Sequence, residues 1–195
     1  MAGKINHTQK IISSALKLTA TKPWAEISMK NIADAAGIKT DILMQYFSSK
    51  LSILDAFNRQ LDQQSEQYIK HSLLKGSIRD DLFDILMARF DALQPHKLSL
   101  NEIYTNTVPF DPLASICGLR SLLISMQSIL ELVGIEIRSP IGYLKMKVLS
   151  AIFFRSFLIW LKDDSVDMAK TMASLNGDLT KIEILINKCQ RHSIG

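Results

Sequence analysis

Ser28-Met29-Lys30-Asn31-Ile32-Ala33-Asp34-Ala35-Ala36-Gly37-Ile38-Lys39-Thr40-Asp41-Ile42-Leu43-Met44-Gln45-Tyr46-Phe47 is the stretch whose reading decides the fold. Ser28 is a natural N-cap, because its hydroxyl can accept from an unpaired amide of a first helical turn. The spacing predicts a short helix over Met29 to Ala36. Gly37 ends it, since glycine reaches positive φ without a Cβ clash. A second short helix follows over Thr40 to Tyr46. Ala33 and Ala36 are small enough to let the two helices cross closely, and Ile32, Ile38 and Leu43 fill the wedge between them. Two short helices joined this way make a helix-turn-helix. The outer face of the second is then free to enter a major groove.

Working outward, Ile11, Ile12, Ala15, Leu16 and Leu18 give an apolar stripe to a helix over about Asn6 to Thr21. Lys22-Pro23-Trp24 closes it, because proline cannot continue a helix. On the other side, Ser48-Ser49 cap a longer helix from Lys50 to about Leu74. Further helices are expected over Ile78 to Leu93, Ser99 to Thr107, Leu113 to Val133, Ile141 to Leu161 and Val166 to Cys189. Glycines and prolines fall at the breaks between them, and no stretch sustains the alternation of a strand. The fold class is therefore all-α, with about nine helices. A three-helix helix-turn-helix domain over residues 1–50 precedes a helical domain over 51–195.

Charge follows the same division. The 195 residues carry a formal net charge of +4. Residues 1–50 hold seven lysines and three acidic residues, while 51–195 hold sixteen basic and sixteen acidic residues. All the excess positive charge therefore sits on the helix-turn-helix, which suggests a polyanion partner for that module alone. Lysines 22, 30, 39 and 50 flank it and can meet phosphates.

Residues 11–57, from Ile-Ile-Ser-Ser-Ala-Leu-Lys-Leu through Ser-Met-Lys-Asn-Ile-Ala-Asp-Ala-Ala-Gly-Ile to Tyr-Phe-Ser-Ser-Lys, resemble the TetR family of bacterial transcription regulators. The resemblance implies an all-α homodimer that binds double-stranded operator DNA through the N-terminal domain. It also implies that the C-terminal domain binds a ligand and pairs its last two helices with those of a partner. Set on that pattern, the DNA-binding residues are Lys22, Ser28, Lys30, Lys39, Thr40, Gln45, Tyr46 and Lys50. The recognition helix departs from the family's usual sequence: Ile42 and Met44 stand where polar contacts are typical. Asp41 complements the helix dipole but repels phosphate.

The second half carries a looser signal. Residues 82–185, including Leu82 to His96 and Tyr143 to Met168, resemble the C-terminal domain of the ubiquinone biosynthesis accessory proteins, which share the TetR fold. That resemblance implies a cavity for an isoprenoid or another lipid, and an alternative role as a lipid-binding accessory protein without DNA binding. Read from the residues alone, Met87, Phe90, Leu119, Leu123, Met126, Phe153, Phe157 and Trp160 are large apolar groups at helical spacing, and they can form either a core or a pocket wall. Arg155 is the candidate polar group for such a pocket, with Arg89 and Arg120 also inside apolar helices; an arginine that snorkels or pairs is the plainer reading of each. Asp163, Asp164 and Asp167 read as capping groups for the last helix.

Other classes find little support. The histidines at 7, 71, 96 and 192 have no partner one turn away, so no metal site is expected. No phosphate loop or nucleophile elbow occurs, and neither an enzyme nor a cofactor is expected. Cys117 and Cys189 read as reduced thiols of a cytoplasmic protein. The first residues lack the apolar core of a secretory signal, and no membrane span is expected, since the most apolar stretch, Val148 to Leu161, is cut by Arg155.

Overall fold

A computed structural model of the chain describes the backbone of residues 2–71 and 76–192, and the side chains of 7–68 and 76–184. Among the described residues there are nine α-helices and no strand: α1 (Ala2–Leu18), α2 (Met29–Ala36), α3 (Thr40–Tyr46), α4 (Lys50–His71), α5 (Ile78–Leu93), α6 (Lys97–Asn106), α7 (Pro112–Leu132), α8 (Pro140–Trp160) and α9 (Ala169–His192). Helices α2, α3 and α5 have the expected bounds. The end expected for α4 at Leu74, like the side chain of Cys189, lies outside the described residues; Cys117 is a free thiol. The remaining helices agree to within a few residues. α1 ends early because the chain tightens into three-residue turns, with the Thr19 amide and hydroxyl both bonding back to the Leu16 carbonyl.

The chain forms two compact units, each discontinuous in sequence. The first comprises Met1–Leu61 and Leu93–Leu122, the second Asp62–Ala92 and Leu123–Gly195. In the first, Ile11, Ala15, Leu16, Trp24, Ile32, Leu43 and Ile53 form a buried core. Helix α6 is fixed to it by polar bonds as well as by Leu100 and Ile103. The Ser99 hydroxyl donates to the Leu16 carbonyl at 2.8 Å, and the Trp24 amide donates to the Glu102 carboxylate at 3.0 Å.

The core of the second unit is aromatic. Phe90 stacks on Phe153 with ring centres 5.0 Å apart, and Phe157 and Trp160 extend the cluster. Arg89 is almost fully buried beside it. Its guanidinium meets the Asp62 carboxylate at 2.6 Å, donates to the Ser125 hydroxyl at 3.2 Å, and lies over the Phe153 ring. Arg89 is thus a paired arginine of the interior. Arg155 is exposed and pairs with Asp178 on α9.

The turn between α8 and α9 explains why α9 starts at Ala169 rather than Val166. Asp163 is buried, and its carboxylate accepts from the amides and hydroxyls of both Ser165 and Thr171. It thereby caps α9 from a distance and holds the intervening loop open, with Val166 fully exposed and Met168 at a φ of 53°. Burial opposes the charge of Asp163, but these hydrogen bonds outweigh it and hold the carboxyl well below the usual carboxylate range. At the other end of α8, Ser139 accepts from the Gly142 amide. A Cβ on Gly142 would strike the Glu136 carbonyl oxygen and stand 2.8 Å from Ile137 Cα, so no larger residue fits there.

Helix α7 is more apolar over its length than the expectation that no apolar run approaches membrane length allowed. By length and composition its 21 residues suffice to cross a membrane. Serines and Arg120 interrupt the apolar run in the sequence, but the helix stays apolar on average. Two of those serines are buried and tied into the protein: Ser121 donates to Asp55, and Ser125 accepts from Arg89.

Replacing the charged acceptor in Asp163→Asn should cost about 2–3 kcal/mol at pH 7. Below about pH 4 the unfolded carboxyl takes up a proton that the folded one does not, so wild-type stability falls with pH. Urea denaturation from pH 7 to pH 3 should therefore show the gap between variant and wild type closing.

Candidate nucleic-acid interface

The helix-turn-helix is set by local chemistry at each joint. The Ser28 hydroxyl accepts from the Asn31 amide at 3.1 Å, and the Asn31 side chain accepts from the Ser28 amide at 3.0 Å. This reciprocal pair is a capping box with asparagine in place of the usual glutamate. At the far end Gly37 takes a left-handed conformation, φ 64°, and its amide bonds back into the last turn. Ile32, Ala33, Ala36 and Leu43 are completely buried, whereas Ile38, the third expected wedge residue, is half-buried.

Helix α3 presents a definite face. Successive residues step about 100° round a helix, so Asp41 and Gln45 stand opposite the buried Leu43, with Met44 and Ile42 on either side. All four are exposed. Thr40 and Tyr46 are half-buried at the margins, and the Tyr46 ring lies 5.9 Å from that of His7 on α1. Lys39 precedes the helix as its N-cap residue, and its side chain is exposed.

The lysines differ in how their charge is used. The Lys30 ammonium is 2.8 Å from the Asp34 carboxylate, one turn along α2. Lys50 is turned inward. Its ammonium donates to the carbonyls of Trp24 at 2.7 Å and Ala25 at 3.2 Å, and lies over the Trp24 ring. Burial lowers its pKa, against the pull of Asp111 and Glu102. Lys50 also borders a cleft of about 240 Å³ with Trp24, Thr107, Phe110 and Asp111. Lys22 is half-buried. The role of Asn31 in the cap and the place of His7 beside Tyr46 are not among the sequence expectations; the S-x-x-N spacing is the signal that discloses the first.

The pocket candidates separate. Phe90, Met126, Phe153, Phe157 and Trp160 are buried in the second unit, with the four aromatic rings in mutual contact. Met87 and Leu123 are half-buried, whereas Leu119 and Arg155 are exposed.

Shortening the cap in Ser28→Ala should cost about 1 kcal/mol. Forcing a Cβ into the left-handed region in Gly37→Ala should cost about 1–2 kcal/mol. Both are read from urea midpoints at unchanged slope.

Residues 11–57 match the family model described as bacterial regulatory proteins, tetR family. No curated protein matches the chain. Among solved structures, a TetR transcriptional regulator from Nitrosomonas europaea is similar, with TM-score 0.71, 19% identity, and coverage of 89% of this chain and 96% of that one. A putative TetR-family regulator from Syntrophomonas wolfei gives TM-score 0.70 at 17% identity, over 93% and 96% of the two chains. FadR from Thermus thermophilus, a TetR-family repressor in complex with lauroyl-CoA, gives TM-score 0.59 at 17% identity, over 89% and 91%. The chain thus has the fold of the TetR transcriptional regulators, and its residues 11–57 match that family's N-terminal model.

Proposed function

We propose that this protein is a cytoplasmic, dimeric transcription regulator, acting as a repressor, that binds operator DNA through residues 1–50 and a hydrophobic ligand through residues 51–195. The observation that carries the reading is the exposed face of α3, on a helix-turn-helix with a capped first helix, a left-handed Gly37 turn and a buried Ile32–Leu43 contact region. The match of residues 11–57 to the tetR regulatory family supports it, as does the concentration of positive charge in the first fifty residues. Lys39, Thr40, Gln45 and Tyr46 are the residues proposed to face the groove. Lys22, Ser28, Lys30 and Lys50 are proposed for its backbone, with Lys50 acting by bracing Trp24. Two recognition helices would lie about 34 Å apart, one turn of duplex.

For dimerisation we propose α8 and α9. Exposed Leu144, Phe154 and Leu158 on α8, and exposed Ala169, Ala173 and Ile184 on α9, offer the apolar and small surfaces that a four-helix packing uses. The ligand class is supported by the lauroyl-CoA bound in the similar FadR and by the apolar groups around Phe90 and Trp160. Binding would shift the dimer between DNA-competent and DNA-incompetent states.

A second reading, a lipid-binding accessory protein of ubiquinone biosynthesis without DNA binding, draws on α7, where Leu113, Ile116, Leu119 and Ile124 are exposed. Fluorescence anisotropy with the duplex upstream of the protein's own gene separates the two. Affinity well above that for random DNA supports the regulator, and equal affinity for both overturns it. Native mass spectrometry showing a retained isoprenoid in a protein without DNA preference favours the second. In the regulator, Lys22→Ala should reduce the slope of log affinity against log salt by about 0.9 for each phosphate no longer neutralised. Lys30→Ala should reduce it by less, because Asp34 already holds the Lys30 charge.

A further inference from the structure

The two apolar residues on the outer face of α3 are the least expected feature of the head. Ile42 is 38% exposed and Met44 is 49% exposed. They flank Asp41 and Gln45 on the face opposite Leu43, the face that a major groove would receive. Both keep a substantial part of their surface in solvent, while the packing side of α3 is occupied by Leu43 and by Phe47 beyond its end. Apolar side chains have one base-specific partner in the major groove, the C5-methyl group of thymine. Between them, Gln45 offers the paired donor and acceptor that match adenine N6 and N7. In a groove that received this face, the Asp41 carboxylate would be able to accept from the amino group of cytosine.

We infer that Ile42 and Met44 are specificity-determining residues that read thymine methyl groups, so that each operator half-site carries thymines on both sides of the base pair met by Gln45. This rests on the DNA-binding reading above. It turns the departure from polar contacts into a readout by methyl burial, and it assigns discrimination to side chains that make no hydrogen bonds. One buried methyl group is worth about fourfold in affinity, so several in a palindromic site compound to well over tenfold.

The test uses the full-length protein and duplexes selected by it from a random-sequence pool. Every thymine in the selected half-sites is then replaced by deoxyuridine, which removes the methyl and leaves the pairing edges intact. Affinities are measured by anisotropy for wild type and for the Ile42→Ala/Met44→Ala variant, whose fold is checked by circular dichroism; both positions are exposed, so the variant retains the core. The expected result is a loss of tenfold or more on uridine substitution for wild type and less than threefold for the variant. An equal loss for both proteins overturns the inference while leaving sequence-specific binding in place. Selection that enriches no sequence overturns the DNA-binding reading itself, and the inference with it.

Discussion

The backbone of Trp24 is the point on which the head depends. Helices α2 and α3 have eight and seven residues, too short to persist by their own hydrogen bonds. They hold by packing, α2 against α1 and α3 against α2. Trp24 anchors the junction after α1: its indole is buried, its amide donates to Glu102 on α6, and its carbonyl accepts from Lys50 at the start of α4. One residue thus joins two helices, α6 and α4, through its two backbone polar groups. A buried amide left unpaired would be costly, so Glu102 satisfies it, while the carbonyl accepts from the Ile27 amide as well as from Lys50.

This arrangement explains what the sequence could and could not disclose. The bounds of α2 and α3 are legible because capping is local: Ser28 and Gly37 act within a few residues of the ends they set. The position of Lys50 is not legible, because its acceptors are carbonyls 25 and 26 residues earlier and carry no residue-type signature. The start of α9 differs from its expected place by three residues for a related reason. Asp163 does cap the helix, but it reaches eight residues ahead, across a loop. The apolar groups of the second unit are legible as buried or pocket-lining but not as one or the other. Periodicity reports that a side chain leaves water, not what it meets; the ring contacts of Phe90 with Phe153 and Trp160 come only from the fold.

The charge of the head also reads differently once placed. Composition counts seven lysines over residues 1–50. Lys30 is neutralised in part by Asp34, and Lys50 has its ammonium turned to carbonyls. Fewer of the seven ammonium groups are therefore free to meet a phosphate directly than the lysine count suggests. Recognition then leans more on the shape and chemistry of the α3 face, where two polar and two apolar side chains stand together.

The head is also interrupted in the chain. Residues up to Leu61 form one unit with Leu93–Leu122, and the Trp24 amide finds its acceptor 78 residues later, on Glu102. Ribosomes add about 5–20 residues per second, so that partner is made roughly 4 to 16 s after Trp24 itself. The unit that is begun first is thus completed late, and until α6 emerges the Trp24 amide lacks the carboxylate that it meets in the finished fold.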